Sequence, residues 1–252
     1  MIYSVKKLAI AVSVFGSMSL FAHNAVASVA FDSYATINFS VASISADGGA
    51  YSGGLSMSGS FLRSGDYFPD IWTDTTGDAN VTDNNPEIPA ISGPVVVGTN
   101  FSHSFALDGS ASNGMIDFDQ VGWYDLGFKI NDNVLQVFDI TLNFSYDIHS
   151  QVTGQEGVTG VSIEYFDDVF EAYGYDLVEA SSIQPELAIA QSIDGGQMTF
   201  TLDPFNNSRI FYVNVNHTGH LEASPVPLPP SAWLFLSGVF GVFGLKKRNV
   251  SV

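Results

Sequence analysis

Between residues 28 and 224 apolar side chains recur at every second position for long stretches. Residues 138–149, Phe-Asp-Ile-Thr-Leu-Asn-Phe-Ser-Tyr-Asp-Ile-His, alternate without a fault. Successive side chains of an extended strand point to opposite faces, so Phe138, Ile140, Leu142, Phe144, Tyr146 and Ile148 share one face. The same period predicts strands over 35–41, 55–61, 101–107, 124–130, 161–165, 198–202 and 211–215. Turn chemistry separates them. Asp47-Gly48-Gly49 precedes one strand, Asn131-Asp132-Asn133 reads as a hairpin turn, and Asp194-Gly195-Gly196 introduces another strand. Only the short stretch 185–191 hints at a helical period. Residues 64–100 break the alternation with four prolines and a scatter of acids, which predicts a long loop between strands. Eight or more one-sided strands with polar outer faces predict one all-β domain, an antiparallel β-sandwich of jelly-roll-like kind.

The two ends have a different pattern. Lys6 and Lys7 precede a mostly apolar run over 8–21, and Ala25-Val26-Ala27 follows. That order predicts a secretory signal peptide over 1–27, a signal helix with Ala25 and Ala27 at the positions a signal peptidase reads. At the other end, 232–245 is uncharged, with Trp233 at its near edge. As a helix this run spans about 21 Å, against about 30 Å of hydrocarbon, so it predicts a short transmembrane helix. Lys246, Lys247 and Arg248 would hold its end in the cytoplasm and leave the body outside.

Val226-Pro227-Leu228-Pro229-Pro230, an apolar stretch carrying Gly238, Gly241 and Gly244, and the terminal Lys246-Lys247-Arg248 cluster together resemble a PEP-CTERM sorting domain. More narrowly the tail is similar to the variants that open Val-Pro-Leu-Pro-Ala; Leu228 stands where the commonest form has Glu. The resemblance is confined to residues 225–252. It implies a Gram-negative bacterium that makes exopolysaccharide and an exosortase-like membrane processing enzyme as partner. It also implies a transient hold in the inner membrane, followed by delivery to the cell surface or extracellular matrix. A sortase signal of the Leu-Pro-x-Thr-Gly kind ranks below it, because Ser231 and Ala232 replace the two residues between which a sortase cuts.

Charge narrows the classes of partner. The 28–224 stretch holds all 26 acidic residues and only Arg63, Lys129 and Arg209 as cations, a formal charge of −23. Such a body repels nucleic acid. With no cysteine, disulfides, Cys-based zinc sites and thiol nucleophiles are excluded.

Candidate chemistry is sparse. Asp74, Asp78 and Asp83, within the acidic stretch 70–87, offer oxygen ligands for calcium but lack the EF-hand order. His217 and His220 lack a nearby third ligand, and an ordinary surface turn is expected there. Glu164, Asp167, Asp168 and Glu171 place acids beside aromatics, though a glycosidase needs two carboxylates facing across a cleft. Trp72 and Trp123 could stack on sugar rings; Trp123, in a strand, is expected to pack in or against the core. No cofactor is expected. The leading expectation is a non-enzymatic surface or matrix protein that associates with exopolysaccharide or other matrix proteins. A carbohydrate-binding module on the same scaffold is the alternative, favoured if aromatics cluster on one exposed face. A polysaccharide-modifying enzyme ranks third.

Overall fold

Eleven strands, all paired antiparallel, organise the described residues of the computed structural model, which are 28–63, 72–83, 90–170 and 173–224. They are β1 (Val29–Ala46), β2 (Gly49–Ala50), β3 (Leu55–Arg63), β4 (Trp72–Asp83), β5 (Ile91–Pro94) and β6 (Asn100–Ile130), then β7 (Phe138–Gly154), β8 (Glu156–Asp167), β9 (Tyr173–Ser181), β10 (Ile189–Leu202) and β11 (Ser208–Ala223). The signal-peptide residues Ala25 and Ala27, the motif 226–230, the 232–245 run and Lys246, Lys247 and Arg248 lie outside the described residues. Among the described residues no helix is long and apolar enough to cross a membrane. Residues Ser28–Ala223 form one compact unit.

The organising element is β6. Straight, its 31 residues would run about 100 Å, whereas a compact unit of this size has a radius of gyration of about 16 Å, so the strand must fold over. Its first part pairs with β1, from Asn100↔Ser40 to Ala111↔Val29. Its later part pairs with β11, from Gly114↔Ala223 to Lys129↔Ser208. The turn-over falls at residues 111–114, where Asn113 has a φ of 70°. Beyond it the two arms of β6 face each other across the core, and the Phe101 and Tyr124 rings meet at 6.4 Å. On its other edge β6 carries β4 around the bend and β3 beyond it.

All strands therefore belong to one sheet, ordered β10-β7-β1-β6-β11-β8-β9, with β2, β3, β4 and β5 off that path. Its two ends, β9 and β10, lie side by side, so the sheet is nearly closed and barrel-like. The apolar faces read from the alternation turn inward. Ile37, Leu142, Phe105, Phe128, Ile163 and Val215 are all buried in the main core. Phe144 meets Tyr165 at 4.8 Å and Phe128 meets Phe200 at 5.5 Å across it. A second cluster fills the bend, where Phe31 stacks on Phe118 at 4.6 Å.

Several local expectations are corrected. The 64–100 stretch contains β4 and β5 rather than one long loop. β4 escapes the alternation because nearly all of its residues are exposed. Residues 131–133 do not close a hairpin: β6 and β7 are not paired, and the turn carries the chain from one half of the sheet to the other. Asp194-Gly195-Gly196 lies within β10 instead of before it, and residues 185–191 give a single 3-10 turn, Pro185–Leu187, ahead of β10. The Asp47-Gly48 turn matches its chemistry. Both residues have positive φ, 49° and 72°, and they join β1 to β2 as a two-residue hairpin.

Candidate functional site

The outer faces of the two halves differ. Outside the β1 half the side chains are mostly Ser, Thr, Asn, Gln and Asp, bonded across strands, with Ile189 and Ile193 of β10 exposed among them. Gln197 donates to Asn143 at 3.0 Å, Ser102 to Asn38 at 2.6 Å, and Thr201 to Asp139 at 2.7 Å. Its aromatic content is one pair, Tyr34 stacked on His149 at 4.9 Å.

The outside of the β11 half is aromatic. Strand register sets it in two neighbouring rows. One row runs Ser60, Asp125, Tyr212, Phe166 and Tyr173 across β3, β6, β11, β8 and β9; the next carries Trp123, Asn214, Glu164 and Tyr175. Trp123 meets Tyr212 at 5.4 Å and Phe166 at 6.1 Å, both edge-on, and Phe166 meets Tyr212 at 5.3 Å. Phe170, in the turn after β8, stacks flat on Phe166 at 5.6 Å with 5° between the planes. Phe170 is 72% exposed, and Tyr173 and Tyr175 are 63% and 58% exposed. Four contiguous rings with two further tyrosines beside them form a platform on the solvent side of the sheet. Aromatic faces of this kind attract apolar sugar faces and cations.

Polar groups frame the rings. Asp125 accepts hydrogen bonds from the Ser60 amide at 2.8 Å and from the Ser60 hydroxyl. Asn214 donates to Glu164 at 3.4 Å, while its side-chain oxygen is buried without a protein partner. The Glu164 carboxylate beside Tyr173 raises that phenol above its ordinary pKa. Burial raises the Tyr212 phenol, with Asp168 and Asp125 adding to the shift. Both hydroxyls therefore stay protonated at neutral pH, and that of Tyr173 donates to the Glu164 carboxylate.

A shallow groove of about 420 Å3 adjoins the platform. Gly127 forms part of its lining, with Ser56, Ser58, Ser92, Lys129 and Ser208 around it. Gly127 alternates with Asp125 along β6, so groove and rings lie on the same side of the sheet.

The sequence-derived candidates are dispersed. Trp123 points out rather than into the core, because the alternation that buries Tyr124 turns its neighbour the other way. Trp72 is 47% exposed at the start of β4. Asp74 sits opposite Asp117 in the ladder, and among the described residues no group of three His, Cys, Asp or Glu could hold a metal. His217 and His220 sit on β11, not in a surface turn, and face opposite ways. His217 is fully buried against Ser33 at 3.0 Å, and burial lowers its pKa to about 3; His220 contacts Asp117 at 2.7 Å. Glu164 faces out, whereas Asp167 is buried and ion-paired with Arg209 at 2.7 Å. Asp70, Glu87 and Glu171 lie outside the described residues. Tyr212, Phe166, Phe170, Tyr173 and Tyr175 were not anticipated as a group, although the outward parity of 212 and 166 was available from their buried neighbours.

No protein-family model matches the chain, and no curated protein matches it.

Proposed function

We propose that the chain is an exported, non-enzymatic surface or matrix protein of a Gram-negative bacterium whose β-domain binds polysaccharide on the aromatic face. The observation that carries the reading is the contiguous Trp123–Tyr212–Phe166–Phe170 cluster on the solvent side of the β11 half. Aromatics clustered on one exposed sheet face favour a carbohydrate-binding module over a purely structural matrix protein. The hydroxyl-lined groove beside them supplies hydrogen-bonding groups for sugar units next to those that stack. In this reading the barrel is a flattened sandwich of jelly-roll-like kind: the β1 half is the solvated back and the β11 half the binding front.

Export and sorting rest on the two ends. The signal peptide would be removed after Ala27. The tail would hold the chain in the inner membrane until an exosortase-like enzyme processes it near Val226–Pro230. The face is tested by pull-down on insoluble polysaccharides. Trp123→Ala and Tyr212→Ala are expected to weaken retention at least tenfold with an unchanged circular dichroism spectrum; full retention by both variants would refute the site. The tail is tested by mass spectrometry of the exported protein, in which Lys246–Arg248 should be missing. An intact C-terminus would refute processing.

A further inference from the structure

We infer that the polysaccharide taken by this face carries free amino groups, an inference that rests on the glycan-binding reading above. The rings are interleaved with carboxylates. Asp125 lies beside Tyr212 in one row, and in the next Glu164 lies between Asn214 and Tyr175, with Asn214 separating it from Trp123. Asp168 follows β8 at the Phe170 end.

Among the described residues no lysine or arginine stands in these two rows. Arg209 is drawn to Asp167 at 2.7 Å and to Asp168 at 3.8 Å. Lys129 stands in the groove, two positions along β6 from Gly127. The negative field is felt at the rings themselves, since Glu164 raises the Tyr173 phenol and Asp168 and Asp125 contribute to raising that of Tyr212.

Three kinds of glycan meet this face differently. A polyuronate or sulfated chain brings like charges against Asp125 and Glu164, and against a body of formal charge −23. A neutral chain stacks on the rings but strips water from carboxylates without pairing them, which is costly. An amino sugar resolves both problems. Its ammonium forms charge-assisted hydrogen bonds to the carboxylates while lying over an aromatic face, where the ring quadrupole attracts it. The oriented Asp125, already fixed by Ser60, has a second oxygen that can accept such a bond.

The test uses the full-length chain kept in detergent, with chitosan, its N-acetylated form chitin, and alginate as probes. Retention on chitosan is expected to exceed that on chitin at least tenfold at low ionic strength. The difference should collapse at about 1 M salt, where the Debye length is about 3 Å. The pair Asp125→Asn and Glu164→Gln should remove most of the preference. The pair Asp32→Asn and Asp139→Asn, on the outer face of the β1 half, should leave it in place.

Equal retention on chitin and chitosan, lowered in both cases by Trp123→Ala, overturns the amino-group inference and leaves the glycan reading standing. Retention on none of the three probes, or retention untouched by Trp123→Ala, overturns the glycan reading itself. A chitosan preference lost equally in both acid-to-amide pairs reports attraction to an acidic protein in general and also overturns the inference.

Discussion

His217 shows how burial fixes the state of a single side chain. It lies wholly inside the barrel, its ring edge-on to Phe105 at 4.6 Å. Burial holds its pKa near 3, against 6.5 when exposed, so the folded protein keeps it neutral where the unfolded chain would protonate it. Its contribution to stability is therefore complete above pH 6.5 and is lost as pH falls toward 3, at about 1.4 kcal/mol per pH unit. Urea denaturation at a series of pH values should show this decline, and His217→Leu should flatten it between pH 6.5 and 4. An unchanged slope in the variant would mean that other groups carry the acid sensitivity. The same residue shows what parity reveals. Its neighbours Asn216 and Thr218 alternate with it, so a His in register with Val213 and Val215 had to face inward, and a two-His ligand pair with His220 was excluded by spacing on a strand.

At the scale of elements, the bend in β6 depends on glycines that let two backbones meet. A Cβ on Gly114 would sit 2.0 Å from the Thr76 carbonyl oxygen, and one on Gly77 would sit 2.2 Å from that of Asn113. Gly77 also has a φ of 68°. We expect Gly114→Ala to destabilise the fold by about 2–4 kcal/mol in urea denaturation, because backbone rather than a flexible side chain must give way. Gly196→Ala, whose Cβ meets nothing within 4 Å, should change stability by no more than about 0.5 kcal/mol. Equal effects of the two would show that the bend tolerates wider spacing.

Elements with an apolar inner face were legible in the sequence, and those without one were not. β7 announced itself through six inward apolar residues, from Phe138 to Ile148. β9 turns Gly174 and Asp176 inward and Tyr173, Tyr175 and Leu177 outward, so over its first part the polarity runs opposite to the usual pattern, which only Val178 and Ala180 follow. Gly174 is needed there because the Tyr165 ring lies across it; a Cβ would fall 2.1 Å from that ring. β4 is polar on both faces and reads as loop. The candidate face was half legible for the same reason. Trp123 could be turned outward by counting from Tyr124, but its meeting with Tyr212 and Phe166 depends on β6, β11 and β8 pairing in a register no local pattern encodes.

For the molecule as a whole, charge and topology set the behaviour. Three cations among 26 acids in the body make self-repulsion a standing cost of compactness, weakened by screening. The melting temperature should rise as sodium chloride increases from about 10 to 150 mM, over which the Debye length falls from about 30 to 8 Å. A fall in melting temperature over that range would show that attractive pairs, such as Arg209 with Asp167, outweigh the repulsion.

The place of β11 gives the molecule a mechanical character. Its last paired residue, Ala223, leads directly to Ser224 and the C-terminal segment, and it lies between β6 and β8. Sixteen residue pairs join it to β6 and twelve to β8. A pull on Ser224 along the strand would load those rungs together in shear rather than opening them one by one. If the tail holds the chain and the face grips polysaccharide, as proposed above, the load path runs through the same strand that carries Tyr212. Pulling from residue 224 in a force spectrometer should give a single high-force rupture; a staircase of small ones would show that β11 peels.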